Sequence, residues 1–168
     1  MEKAPVTPHP RLNVVLVHPE IPPNTGNVAR MCGATQTRLH LVHPLGFKVD
    51  DRHLRRAGLD YWDQVEVIHH RSLEAFLDYS SGQRLLLFSA RGERPYTEAP
   101  YSQGAFLLFG SETQGLPGQL LDNMRDSVYY IPIWGKVRSL NLATAVGIVT
   151  YEAYRSLGFG PHWRLKTT

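Results

Sequence analysis

Three polar loops in this sequence have the residue types that bind anions or nucleotides. In the third of them, Arg138, Ser139 and Asn141 stand where an apolar helical pattern begins. Free backbone N–H groups at a helix start attract anions, and polar side chains beside them add hydrogen bonds. Ser and Asn are also preferred N-cap residues. Taken alone, this segment is equally consistent with an ordinary helix start.

The other two loops have the same polar character. The first, 19–27, contains Asn24 and is followed by Arg30, and the second, 109–117, holds Glu112 between two glycines. The sequence has neither the Gly-Lys-Ser/Thr of a P-loop nor the G-x-G-x-x-G of a dinucleotide site. The residues themselves therefore predict a ligand-binding α/β domain without identifying the ligand.

Predicted strands and helices alternate along the chain and position these loops. This alternation predicts an open, mostly parallel sheet flanked by helices. Apolar runs predict strands at 12–17, 39–42, 65–68, 85–88, 105–109 and 128–133. Helices are predicted from an Asn24 cap to Thr35, after Asp50-Asp51, from a Ser72 cap to Leu77, and at 116–124 and 140–157. Each polar loop follows a strand, and parallel sheets bind ligands at the carboxyl ends of their strands.

Composition indicates one globular domain with a full hydrophobic core. The chain has 168 residues, 42% of them hydrophobic and 20% charged. We expect a tail at 1–10, the domain at 11–160 and a second tail at 161–168. The net charge of +3 permits a phosphate-bearing partner without requiring one. Cys32 is the single cysteine, and no signal peptide or membrane-spanning run is evident, so we expect a cytoplasmic protein without membrane contact.

The predicted closing helix is apolar almost all round. Polar residues appear only late in it, at Glu152 and Arg155. A helix of this kind is buried on more than one side. In so small a domain the second side would meet another subunit, and we therefore expect a homodimer.

Histidine and tryptophan offer further candidate groups. His40, His43 and the pair His69-His70 have no accompanying set of carboxylates or thiols, which favours packing or surface roles, and no metal is expected. Trp134, in the loop before the third polar segment, could stack on a base. Packing over a cofactor or over a second subunit is an equal alternative for this side chain.

Four segments together resemble the SpoU branch of the SPOUT methyltransferases. They are PEIPPNTGN followed by Arg30, RRAGLDY from Arg55, FGSETQGLP, and IP followed by VRSLNL. The similarity extends over about 12–158. The RRAGLDY segment narrows it to the TrmL group, which methylates the 2'-hydroxyl of the wobble nucleotide in certain leucine tRNAs.

This resemblance implies a C-terminal trefoil knot that binds S-adenosylmethionine, with S-adenosylhomocysteine as product, in a homodimer that acts on tRNA. Residues implied in transfer or in the integrity of the site are Asn24, Arg30, Glu112, Ser139 and Asn141. Residues implied around the cofactor are Phe88, Ser89, Gly110, Ile131, Ser139 and Leu140. Residues implied in substrate binding are Arg55, Arg56, Arg138 and Tyr151. From the residues alone, Arg55 and Arg56 would equally form the solvent-exposed face of a helix.

Methyl transfer from a sulfonium to a ribose hydroxyl is an in-line displacement that depends on alignment of donor and acceptor. Arginine is a poor base, so we expect Arg30 to stabilise developing negative charge beside the hydroxyl and a neighbouring phosphate. The family usually has Ser-Asn where this chain has Ala143-Thr144. There are two alternatives to methyl transfer at the wobble nucleotide. One is the same chemistry on another tRNA position or on rRNA, and the other is an RNA-binding dimer without transfer activity.

Overall fold

The protein is described by a computed structural model over residues 11–49, 52 and 62–159. Within these ranges seven strands form one sheet, and every pairing between them is parallel. The strands are β1 (Asn13–Val17), β2 (Arg38–Val42), β3 (Val67–His70), β4 (Leu85–Phe88), β5 (Arg94–Pro95), β6 (Phe106–Phe109) and β7 (Val128–Tyr130). The helices are α1 (Pro22–Thr35), α2 (Leu73–Tyr79), α3 (Gly118–Asn123) and α4 (Leu142–Ser156).

This architecture confirms the predicted parallel α/β sheet. The trefoil knot stays a prediction, as do the domain limits. The two tails, the helix after Asp50-Asp51 and the pair Arg55-Arg56 lie outside the described residues. None of the helices in the described ranges has the length and apolar content needed to cross a bilayer.

The strand order is β3-β2-β1-β6-β4-β7-β5. The chain leaves β1 toward β2, on one side, and leaves β6 toward β7, on the other. Connections that diverge in this way open a crevice at the carboxyl ends of the two central strands. Polar loops that follow β1 and β6 therefore meet at this crevice.

The sheet is buried on both faces, as the continuous apolar runs predicted. In β1, Val14 and Leu16 pack with α1 and α4, whereas Val15 and Val17 pack with α2 and α3. This alternation follows the two-residue period of a strand. The core thus consists of two layers, one on each side of the sheet.

The structure corrects several predicted boundaries. Asn24 does not cap α1, because the helix begins at Pro22 after an Ile21 N-cap that makes no side-chain hydrogen bond. Proline at a helix start has a suitable φ and needs no N–H partner there, so Pro22-Pro23 opens the helix instead of preceding it. Strand β7 ends before Pro132, which cannot donate to a ladder. Strand β5 was not predicted, and β3 lies at Val67–His70 instead of 65–68.

Helix α4 starts two residues later than predicted, with Asn141 as its N-cap. One face packs against α1 and the sheet, and its buried residues are Leu142, Val146, Val149, Thr150, Ala153 and Tyr154. The opposite face leaves Ile148 half-buried and Tyr151 52% exposed. Within the described chain the helix is therefore buried on one side, and the homodimer stays a prediction.

Two predicted capping and packing features are present. Ser72 caps α2 by accepting a hydrogen bond from the Ala75 backbone N–H. His40 is fully buried, and its ring bonds the Asn13 Oδ1 at 2.9 Å and the His70 Nε2 at 3.0 Å. Burial, and then the neighbouring His70 and Arg38, lower the pKa of His40 to about 3. This imidazole is therefore neutral in the folded protein at neutral pH.

Candidate active site

A cavity of about 710 Å³ lies at the carboxyl ends of the adjacent strands β1, β6, β4 and β7. All three polar loops contribute to it. The predicted site residues that line it are Asn24, Phe88, Ser89, Gly110, Glu112, Ile131, Arg138, Ser139, Leu140 and Asn141. A volume of this size is typical of small-molecule sites.

Gly110 lets the loop after β6 fold back on itself. Ser111 and Gly115 form an isolated antiparallel bridge, in which the Gly115 N–H donates to the Ser111 carbonyl at 2.9 Å. A Cβ added at Gly110 would overlap the backbone of Gly115 and Leu116. Glycine is therefore required here by close backbone approach, which brings the whole loop against the cavity.

Glu112 ties the loop after β6 to the loop after β1. Its Oε2 accepts a hydrogen bond of 2.8 Å from the Glu20 backbone N–H. The Glu20 Oε1 accepts one of 2.7 Å from the Thr113 hydroxyl, and this bond lowers the pKa of Glu20. The other oxygen of Glu112, Oε1, is buried and has no hydrogen-bond partner in the described chain. A buried acceptor of this kind is suited to a ligand donor.

Asn141 has two structural roles at the cavity wall. Its Nδ2 donates to the Asn24 Oδ1 at 2.9 Å, which joins the starts of α4 and α1. Its Oδ1 accepts from the Thr144 backbone N–H at 3.3 Å and so caps α4. Asn141 is therefore the N-cap of α4 and also lines the cavity, and its role in transfer stays a prediction. Asn24, displaced from its predicted capping role, is 7% exposed and lines the cavity from within α1.

The end of β4 forms another part of the wall. The Ser89 N–H donates to the Tyr129 carbonyl at 2.9 Å, while the Phe88 ring stacks on Phe109 with centroids 5.2 Å apart. Arg91 also lines the cavity and pairs with Asp122 at 2.8 Å. The sequence interpretation missed Arg91, although its position two residues after Ser89 is a signal that could have revealed it.

The segment after β7 forms the rim of the cavity. Ile131 and Ile133 line it, and the Arg138 Nη2 donates to the Thr113 carbonyl at 3.3 Å. This bond links the third polar loop to the second. Trp134, which lies between Ile133 and Arg138 in this segment, is 93% exposed.

Two predicted site residues lie elsewhere. Arg30 is exposed on α1 and does not line the cavity, and neither does Tyr151 on α4. Because Asn24 and Arg30 both lie inside α1, six positions place them about 9 Å apart along the axis and about 120° apart around it. They therefore occupy different faces of the helix.

The walls combine apolar and polar groups in a way that fits a nucleoside-like molecule. Phe88, Leu116, Ile131 and Leu140 offer apolar surface, and the unpartnered Glu112 Oε1 offers an acceptor. In the described part of the chain, no group of three or more His, Cys, Asp or Glu side chains is arranged to hold a metal ion.

A family model described as SpoU rRNA Methylase matches residues 11–151. The chain belongs to the SpoU methylase family. The match confirms the resemblance drawn from the four sequence segments.

Relatives and solved structures of this family are similar over most of the chain. A tRNA (cytidine(34)-2'-O)-methyltransferase of Saccharophagus degradans is 46% identical over 148 residues, covering 88% of this chain and 96% of the relative. The Escherichia coli K12 protein of the same name is 46% identical over 149 residues, covering 88% and 95%.

Two solved structures of SpoU-type folds superpose well. One, concerned with 2-OH methylation of C/U34 on tRNA, has a TM-score of 0.86 at 49% identity and covers 91% of this chain and 99% of its own. An AdoMet-bound rRNA methyltransferase from Sinorhizobium meliloti has a TM-score of 0.80 at 27% identity, covering 89% and 58%.

Proposed function

We propose that this chain is an S-adenosylmethionine-dependent tRNA ribose 2'-O-methyltransferase that acts on the wobble nucleotide of leucine-type tRNAs. The observation that carries the proposal is the convergence of the three polar loops on one cavity at the sheet crevice. The names of the relatives at 46% identity support the choice of RNA and of position. We also propose a cytoplasmic location, where tRNA is found.

The lining residues suit S-adenosylmethionine. Phe88, Ile131 and Leu140 would contact its apolar parts, and Ser89 and Gly110 would bring polar backbone close to it. When bound, this cofactor supplies an activated methyl group on a sulfonium. Ser139, exposed at the cavity edge, would hydrogen-bond the cofactor or the incoming nucleotide.

Other residues would hold the acceptor and its charge. Asn141 and Asn24 would fix the position of the ribose through their joined amides, and the Glu112 Oε1 would accept a hydrogen bond from a ligand. Arg138, at the rim, would contact the substrate backbone. Preorganised donors and acceptors of this kind lower a barrier because they need not reorganise during reaction.

Arg30 would act on the RNA from outside the cavity lining. An RNA strand is longer than the cavity, so an exposed cation on α1 is suited to contact a phosphate of the strand or to help stabilise the developing alkoxide. We further propose a homodimer, which the exposed side of α4 with Ile148 and Tyr151 supports. Tyr151, Arg55 and Arg56 are proposed substrate contacts.

The test is labelled methyl transfer to total tRNA and to rRNA, followed by mapping of the modified ribose. Modification of the wobble ribose of leucine tRNAs is expected. Modification of rRNA or of another tRNA position would identify that RNA as the substrate instead. Cofactor binding without transfer would favour an RNA-binding dimer that lacks transfer activity.

Variants test the residue roles. Arg30→Ala and Asn141→Ala are expected to lower transfer at least tenfold, and Asn141→Ser, which keeps a capping oxygen, separates lost helix capping from lost chemistry. The control is Arg84→Ala, an exposed arginine just before β4, at the opposite end of the strands. Unchanged transfer in Arg30→Ala or Asn141→Ala would refute these assignments. Sedimentation as a monomer at micromolar concentration would refute the dimer.

A further inference from the structure

The rim segment between β7 and α4 carries large apolar side chains that the described part of the chain leaves exposed. Trp134 is 93% exposed and Val137 is 64% exposed, in a stretch without helix or strand. Burial of an indole is stabilising, so an indole exposed beside a cavity would gain stability by contact with a ligand or partner. This exposure favours a contact surface at the rim.

The position of Trp134 ties it to the cavity. Its neighbour Ile133 and the nearby Arg138 both line the cavity, and the bond from Arg138 to the Thr113 carbonyl fixes one end of the segment. Trp134 thus lies on a short stretch between two cavity-lining residues. Ser139, which also lines the cavity, follows Arg138 directly, so a substrate strand bound at Ser139 would lie close to this segment.

The charge of the segment favours RNA over a protein partner. Between Ile131 and Asn141 the sequence contains two cations, Lys136 and Arg138, and no acidic residue. Lysine is depleted in the cores of protein interfaces, whereas cations interleaved with an aromatic ring suit phosphates and bases. Both requirements of a nucleotide, a flat apolar surface and positive charge, are present within five residues.

We propose that Trp134 is a substrate-positioning residue, whose indole stacks on a base of the RNA strand at or beside the acceptor ribose. The inference rests on the proposed function and specifies how the same site holds its substrate. Stacking uses the face of a base and reads no hydrogen-bonding edge. Trp134 therefore strengthens binding without choosing between cytidine and uridine.

The first experiment separates KM from kcat in methyl transfer to tRNA. Trp134→Ala is expected to raise the KM for tRNA by about 5- to 150-fold, the range for loss of one stacked base, with kcat within about twofold. Trp134→Tyr is expected to restore most of the affinity. The control, Tyr79→Ala, removes an exposed aromatic side chain on α2, outside this segment, and should leave KM unchanged. The same loss is expected for anticodon stem-loops with cytidine or with uridine at the acceptor.

The second experiment reads binding without activity. Anisotropy of labelled tRNA with S-adenosylhomocysteine present gives its affinity for each variant, and the fluorescence difference between wild type and Trp134→Phe isolates the indole emission. RNA is expected to quench that emission. Equal tRNA affinity of wild type and Trp134→Ala would overturn the inference, as would a loss of dimer in sedimentation, which would assign Trp134 to the second subunit. A wild-type chain that binds tRNA without methylating it would overturn the proposed function alone, while anisotropy still decides the role of Trp134.

Discussion

The buried imidazole of His40 makes the stability of this fold depend on pH. Its side chain is fully buried between Asn13 and His70, and its pKa lies near 3 in the folded chain against 6.5 when exposed. Between these two values the unfolded chain binds a proton that the folded chain does not. Stability is therefore fully present above pH 6.5 and is lost as the pH falls toward 3.

The size of the effect follows from these two pKa values. At pH 7.5 neither state is appreciably protonated, whereas at pH 5.0 the unfolded histidine is almost fully protonated and the folded one is neutral. The free energy of unfolding should therefore fall by ~2 kcal/mol between these pH values from His40 alone. Burial lowers the pKa of His70 and of His69 as well, so these two histidines also reduce the free energy of unfolding on acidification.

His40→Gln tests this reasoning because glutamine is neutral throughout and can still bond the Asn13 Oδ1. Urea denaturation at pH 7.5, 6.5, 5.5 and 5.0, at one protein concentration, gives the free energy of unfolding of each protein. The variant should be less stable at pH 7.5, since it packs less well, but should lose ~2 kcal/mol less on acidification. Leu86→Ala, which removes buried apolar surface and no titratable group, is the control and should lose as much stability on acidification as wild type. Equal losses in wild type and His40→Gln would refute the argument.

Three further substitutions test the site and its support. Gly110→Ala should abolish cofactor binding in calorimetry, because the added Cβ overlaps the loop backbone. Gly135→Ala should bind the cofactor normally, because a Cβ there meets nothing within 4 Å. Cofactor binding by both variants would contradict the close backbone approach at Gly110. Glu112→Gln should weaken the binding of S-adenosylhomocysteine or of tRNA about tenfold, because it replaces a carboxylate acceptor with an amide. The control Glu98→Gln should bind both as wild type does. If Glu112→Gln binds both ligands as tightly as wild type, Oε1 has no ligand role. Tyr154→Phe should lower the free energy of unfolding by about 1 kcal/mol, because its hydroxyl bonds the buried Thr37 hydroxyl at 2.7 Å. The exposed Tyr79→Phe on α2 should leave it unchanged, and equal losses in the two variants would contradict this bond.

The sequence predicts the strands best where burial is complete. Strand β1 reads as a continuous apolar run because both of its faces are covered. Strand β3 extends through His70, whose burial depends on hydrogen bonds to another ring and is invisible to hydrophobic patterning. Strand β5 has two residues, too few for any period to be recognised.

The candidate site could be predicted loop by loop but not as an assembly. Asn24 follows Pro22-Pro23 and Asn141 stands at a predicted helix start, so the pattern indicated both, whereas a role for Glu112 came from the family resemblance. The bond between Asn24 and Asn141 joins positions 117 residues apart, and only the strand order brings them together. Periodicity describes each element by itself, so it contains no information about which loops become neighbours.

The cavity is built from chain positions that span residues 21 to 145. Its walls follow β1, β4, β6 and β7, whose pairings join segments far apart in the sequence. Contacts of such high sequence separation form late and slowly, because long loops must close before the pairing is rewarded. A nascent chain therefore cannot hold its ligand until α4 has been synthesised and docked. Ligand binding then reports completion of the whole fold, and a saturating ligand should stabilise the domain as one cooperative unit.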